Sequence, residues 1–194
     1  MGDQVVLQRP KRLVGRQVIL LTVAALITVV SVGTVGANNT MGHVMPDGTP
    51  TYIFRNNLTV LFSDAADYVR LNSMNPTDLT TLYVSNVNDA YLNVVDNDCG
   101  NTGWAGMWSC ASWGAMNICN RGDVIMNQNG CCVPGGSYST TEARSVMCEE
   151  LGHGVRLDHN ADGATNVGSC MATPVNWNNY FWNTHDDGHV SFAY

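Results

Sequence analysis

Apolar positions fall first into one long block, then into short alternating runs, then into a stretch with helical spacing. The block runs from Val18 to about Val35, behind Arg9, Lys11, Arg12 and Arg16. Basic residues ahead of an apolar run that closes on the short side chains Val35 and Ala37 form an export signal, with cleavage expected before Asn38. The run also approaches the length needed to cross a bilayer, so a retained amino-terminal anchor is the alternative. Either way the remainder faces outward.

From Asn38 to Pro50 the chain is Gly, Asn, Thr and Pro with little apolar content, which predicts a loose amino-terminal segment over 38–50. Thr51 to Arg55, TYIFR, has strand character, and Leu61, Ala65, Tyr68 and Val69 then recur at helical spacing. Asn75-Pro76 ends that helix. YLNVVD, Tyr91 to Asp96, predicts a second strand, and the cysteine-, Trp- and Gly-containing region up to Asn120 predicts strands and tight loops. RGDVIMNQNG, Arg121 to Gly130, is the clearest strand, with Val124, Ile125 and Met126 at its centre. Its opening triplet Arg121, Gly122, Asp123 matches an adhesion motif, but it runs into a strand instead of sitting at a loop tip.

SYSTTEARSVMCEELGHGV then carries helix-start chemistry. Ser139 and Glu142 stand as a capping box, in which a hydroxyl and a carboxylate each satisfy an amide donor that the first helical turn leaves unpaired. A helix follows from about Thr140 to Gly154, with Ala143, Val146, Met147 and Leu151 on the face toward a sheet. Glu149, Glu150 and His153 are left toward a cleft. At the carboxy terminus Trp177, Tyr180, Phe181 and Trp182 read as core or cleft-wall aromatics. His185 and His189, beside Asp186 and Asp187, carry metal-ligand chemistry, but Gly188 and the polar surroundings favour a solvated terminal segment.

Length and charge narrow the class. Removing residues 1–37 leaves enough chain for one domain with a real core, spanning 51–194. Residues 38–194 keep five Arg, no Lys and fifteen acidic residues, so nucleic acid is excluded as a natural partner. All seven cysteines lie from Cys99 onward, and an oxidising exterior favours three disulfides with one thiol left over. Neighbouring Cys131 and Cys132 are expected to take separate partners.

The chemistry concentrates in CEELGHGVRLDHN, Cys148 to Asn160. Positions 149 and 153 lie one helical turn apart, about 6 Å along the axis, so both side chains can reach one ion. Gly154 and the residues after it let the chain turn and return His159. Glu149, His153 and His159 then supply three ligands of a tetrahedral zinc site with water at the fourth position. Glu150, offset around the helix, is placed to take a proton from that water, an arrangement that serves peptide-bond hydrolysis.

With these residues in view, the chain resembles the metzincin zinc endopeptidases, and among them small secreted matrixin-like proteases. The family pattern HExxHxxGxxH, followed by a methionine turn, is matched by EELGHGVRLDH from Glu149 to His159 and by SCM ending at Met171. The resemblance implies an α+β, zincin-like domain with an active-site helix and a Met-turn: a twisted mixed sheet of four or five strands, two long helices, the second carrying the site, and an irregular carboxy-terminal part with a short helix. It assigns His153 and His159 as zinc ligands, Glu150 as general acid/base and Met171 as the residue beneath the metal. Glu149 stands where the family has its first histidine, and Arg156 where it has a glycine that supports a left-handed turn.

The expected function is therefore a secreted, monomeric Zn2+ endopeptidase acting on protein or peptide substrates, with no stable membrane contact unless the amino-terminal segment is retained. The alternative is an inactive relative that binds peptides or partners in the same cleft. A bridge between Cys148 and Cys170 would tie the site helix to the turn beneath the metal. The strand DVIMNQN is expected to border the cleft and to pair with an extended substrate.

Overall fold

A computed structural model describes residues 41–43, 45–46, 51–159 and 168–194. The expected export signal or anchor, residues 1–37, lies outside the described residues. Five strands form one mixed sheet: β1 (Thr51–Asn56), β2 (Thr81–Tyr83), β3 (Leu92–Asn97), β4 (Gly106–Trp113) and β5 (Cys119–Asn127). Their spatial order is β2-β1-β3-β5-β4, with every neighbouring pair parallel except β4 and β5. Three helices accompany the sheet: α1 (Val60–Val69), extended by a π-helical turn over Arg70–Met74, α2 (Thr140–Gly154) and α3 (Thr184–Ala193).

Period-two burial explains β3 and β5. Leu92 and Val94 on β3, and Val124 and Met126 on β5, are fully buried, with Val94 in register with Val124. Each such side chain contributes about 1.5–3 kcal/mol by leaving water. α1 buries Phe62, Ala65, Ala66 and Val69, packs on α2, and α2 in turn lies along β4 and β5. A single core results, with Met147, Leu151, Leu157 and Met171 at its centre.

Three expectations are corrected. The strand DVIMNQN does not border a cleft: β5 is interior, hydrogen-bonded to β3 on one side and to β4 on the other. The reason is that the chain doubles back through residues 114–118, where Met116 and Asn117 both adopt positive φ, and lays β4 over the edge that β5 would otherwise expose. Three disulfides were expected and two are present, Cys110–Cys119 and Cys148–Cys170, leaving Cys99, Cys131 and Cys132 as thiols. Cys110–Cys119 links β4 to β5, whereas Cys131 and Cys132 stay neighbouring thiols on one short turn, with Cys131 Sγ donating to the Gly100 carbonyl at 3.6 Å. Finally, the expected short carboxy-terminal helix is present as α3, but it is docked and not a solvated segment, with Asp186, His189 and Val190 buried. Asn183 and Asp186 form a full capping box at its start, which offsets the cost of Gly188 within it.

The described part of the segment expected to be loose is docked on the domain. His43 and Met45 are buried, and the Met41 N–H donates to the Arg156 carbonyl at 2.8 Å. Arg121, Gly122 and Asp123 lie inside β5, so the triplet forms strand. Among the described residues no helix is long and apolar enough to cross a membrane.

Asn127, fully buried at the end of β5, knits the loops around it. Its Oδ1 accepts the N–H groups of Cys99 and Asn129, each at 3.0 Å, and its Nδ2 faces the Gly100 carbonyl, Thr102 Oγ1 and the Trp104 carbonyl at 3.0–3.2 Å. Alanine here strands several buried backbone groups. Urea denaturation of Asn127→Ala is expected to show a loss of about 2–4 kcal/mol; an unchanged midpoint would contradict this role.

Candidate metal centre

The helix that carries the site begins and ends as its sequence dictates. At the start of α2, Ser139 Oγ accepts the Glu142 N–H at 3.2 Å, and Glu142 Oε2 accepts the Ser139 N–H at 2.7 Å. Ala143, Val146, Met147 and Leu151 are buried, as their spacing predicts. At the other end the Leu157 N–H returns to the Gly152 carbonyl at 2.9 Å and the Arg156 N–H to the His153 carbonyl at 3.1 Å. This closing pattern needs a left-handed residue, and Arg156 supplies it at φ 84°. A side chain with a Cβ costs roughly 1 kcal/mol there, and the bonds on either side hold the turn.

That turn buries Leu157 and brings His159 back over the helix end. His159 Nε2 lies 3.2 Å from His153 Nε2 and 2.8 Å from Glu149 Oε1. One donor atom from each of Glu149, His153 and His159 lies within 4.8 Å of the other two. The donor set fits a borderline divalent ion. The Nδ1 of His153 is bonded to the Leu157 carbonyl at 2.9 Å, which places the proton on Nδ1 and turns the Nε2 lone pair toward the other two donors. Burial lowers the pKa of His153 and keeps it neutral, as a ligand must be, while the bond to Glu149 raises that of His159.

Glu150, the next residue along the helix from Glu149, is buried and lies against β4. A Cβ on Gly106 would fall 2.7 Å from Glu150 Cγ and 2.6 Å from Val146 Cγ1, so only glycine at that strand position lets α2 approach so closely. Burial, then the neighbouring Glu149 charge, pushes the Glu150 carboxyl up to about 8, partly offset by a hydrogen bond from the Trp108 backbone. Beneath the helix, Met171 is fully buried, and a Cβ on Gly152 would fall 2.5 Å from its sulfur. The Cys148–Cys170 bridge ties Met171 to α2, closing a loop worth about 3 kcal/mol in the chain-entropy model. Trp182 Nε1 donates to the Cys148 carbonyl at 3.2 Å, and the Met171 N–H donates to Ser169 Oγ at 2.9 Å.

Sequence reasoning missed His43. Its ring stacks on Trp108 at 4.2 Å and bonds to the backbone of His153, so it braces the helix end without joining the donor cluster. A histidine in a stretch without periodicity, far along the chain from its contact, carries no local signal. Tyr180 sits edge-on to Tyr68 and Phe181, on the α1 side of the domain. A cavity of about 670 Å³ opens beside the first turn of α2, lined in part by Ser139, Glu142, Pro174 and Trp177. It lies toward the opposite end of the helix from the donor cluster.

No family model matches this chain, and no curated protein matches its sequence. Among solved structures, two of myroilysin share the fold. One is 12% identical over 78% of this chain and 82% of that chain, and the other 13% identical over 81% and 86%, each with a TM-score of 0.50. The class defined is a mixed α/β domain with a five-stranded sheet and a two-histidine, one-carboxylate cluster at a helix end.

Glu150 makes the metal-free protein pH-sensitive. Between its ordinary value of 4.5 and about 8, the folded state holds a proton that the unfolded chain has released. Stability of the metal-free form should therefore fall as pH rises across that window and level off above it. Glu150→Gln should flatten this dependence in denaturation curves taken from pH 5 to 9; an equal slope in both proteins would refute the burial of a protonated carboxyl.

Proposed function

We propose that this chain is a zinc-dependent endopeptidase working outside the cell, with Glu149, His153 and His159 as its metal ligands. The observation that carries the reading is the convergence of those three donor groups on one point, with a buried carboxylate next along the helix. The match of residues 149–159 to the metzincin pattern supports it, as does a fold shared with myroilysin. Two disulfides suit an oxidising exterior.

Zinc, when held there, supplies Lewis acidity that polarises a peptide carbonyl and acidifies a water molecule. The protein's own groups do the rest. Glu150, the carboxylate next to the ligand Glu149 on the helix, accepts the proton from the attacking water and passes it to the departing amine. His153, locked by the Leu157 carbonyl, keeps its donor nitrogen aimed at the site without rearrangement. β4 is the free edge of the sheet nearest α2, so an extended substrate would add along it by backbone hydrogen bonds. Glu149 in place of an imidazole adds negative charge, which weakens the metal's pull on its water and makes for a slower enzyme than a three-histidine site.

The deciding experiment is cleavage of an unstructured protein with and without chelator. Chelation should abolish cleavage and zinc should restore it. Glu150→Gln should lower turnover by about 10²–10⁴-fold while zinc content stays the same. Cleavage that survives chelation would overturn the proposal, whereas bound zinc without any cleavage would favour the peptide-binding alternative. Glu149→His should raise turnover; no change would show the carboxylate to be an equally good ligand.

A further inference from the structure

α3 carries a second pair of imidazoles that the proposed reaction does not use. His185 and His189 are one helical turn apart, and their Nε2 atoms lie 3.0 Å from each other, with ring centroids at 4.4 Å and planes at 88°. The ligand pair of the first centre has nearly the same geometry: Nε2 atoms at 3.2 Å, centroids at 4.7 Å and planes at 78°. Two histidines four apart on one helical face are a recurrent way to present two nitrogens to one ion. Here they are held in advance. Asn183 accepts the backbone N–H groups of His185 and Asp186, and Asp186 closes the capping box, so the turn that carries His185 is fixed, and His189 is buried on the next turn.

We propose that His185 and His189 form a second transition-metal site, independent of the first, that takes Cu2+ or Zn2+ through two imidazole nitrogens. Neutral imidazole donors select such borderline ions over Mg2+ and Ca2+, and among divalent ions Cu2+ binds most tightly. With two protein ligands against three, the site is the weaker of the two for zinc. It is placed to act on the first centre through structure. Asp186, between the two histidines in sequence, bonds to Ser169 Oγ, which also accepts the Met171 N–H. An ion that clamps the first turns of α3 therefore stiffens the support beneath the site helix.

The test is calorimetric titration of the metal-free full chain with Cu2+ and with Zn2+. Two binding events are expected. His185→Gln, at a half-exposed position in the first helical turn, should weaken one event by more than about tenfold and leave the other unchanged. His153→Gln combined with His159→Gln should do the reverse, which separates failure of this site from failure of the first. Electron paramagnetic resonance of Cu2+ bound to that double variant should show coupling to two imidazole nitrogens. A single binding event in the unaltered protein, or a Cu2+ spectrum that His185→Gln does not change, would overturn the proposal.

Discussion

The candidate site rests on a reversal of the chain at one left-handed residue. α2 delivers Glu149 and His153 on one face, but a straight helix would carry His159 away from them. Closure of the helix through the Gly152 and His153 carbonyls, with Arg156 at φ 84°, turns the backbone within one residue and brings His159 Nε2 within 2.8 Å of Glu149. An arginine at a position that favours glycine costs roughly 1 kcal/mol, small beside the bonds that hold the turn. The same turn is where the amino-terminal segment attaches, through the Met41 N–H, and where His43 reaches the backbone of His153. Distant parts of the chain thus converge on the bend that assembles the cluster.

Beneath the helix a second set of contacts fixes its height. Gly152 lets Met171 approach, the Cys148–Cys170 bridge joins the two segments covalently, and Trp182 ties its indole to the Cys148 carbonyl. From Ser169 the chain of bonds runs to Asp186 at the start of α3. On the sheet side Gly106 plays the part that Gly152 plays below, removing a Cβ so that Glu150 can lie against β4. Both glycines are needed for close approach and neither for an unusual φ. In the proposed reaction such rigidity would count directly, because ligand groups already in place need no reorganisation when substrate arrives.

What could be read in the sequence was local. The capping box at Ser139 and Glu142, the helix through Gly154, the turn at Arg156 and the facing of Glu149, His153 and His159 all follow from spacings of a few residues. The Cys148–Cys170 bridge was legible because both cysteines flank the motif residues. Non-local pairing was not. Nothing in DVIMNQN reveals that residues 106–113 return to cover its edge, since β4 carries no regular alternation of its own and the order in a sheet is set by connections. β2 is too short at three residues to show a period. A short helix near the carboxy terminus is legible, whereas its docking is not, because Asp186 and Val190 are buried against segments distant along the chain.

The central claim is that two imidazoles and one carboxylate surround a single zinc ion at the end of α2. X-ray absorption at the zinc edge, on protein loaded with one equivalent, tests it most directly. The account predicts a first shell of nitrogen and oxygen only, at about 2.0–2.2 Å, with the multiple scattering of two imidazoles. A sulfur shell at about 2.3 Å, or a shell without imidazole scattering, would contradict it.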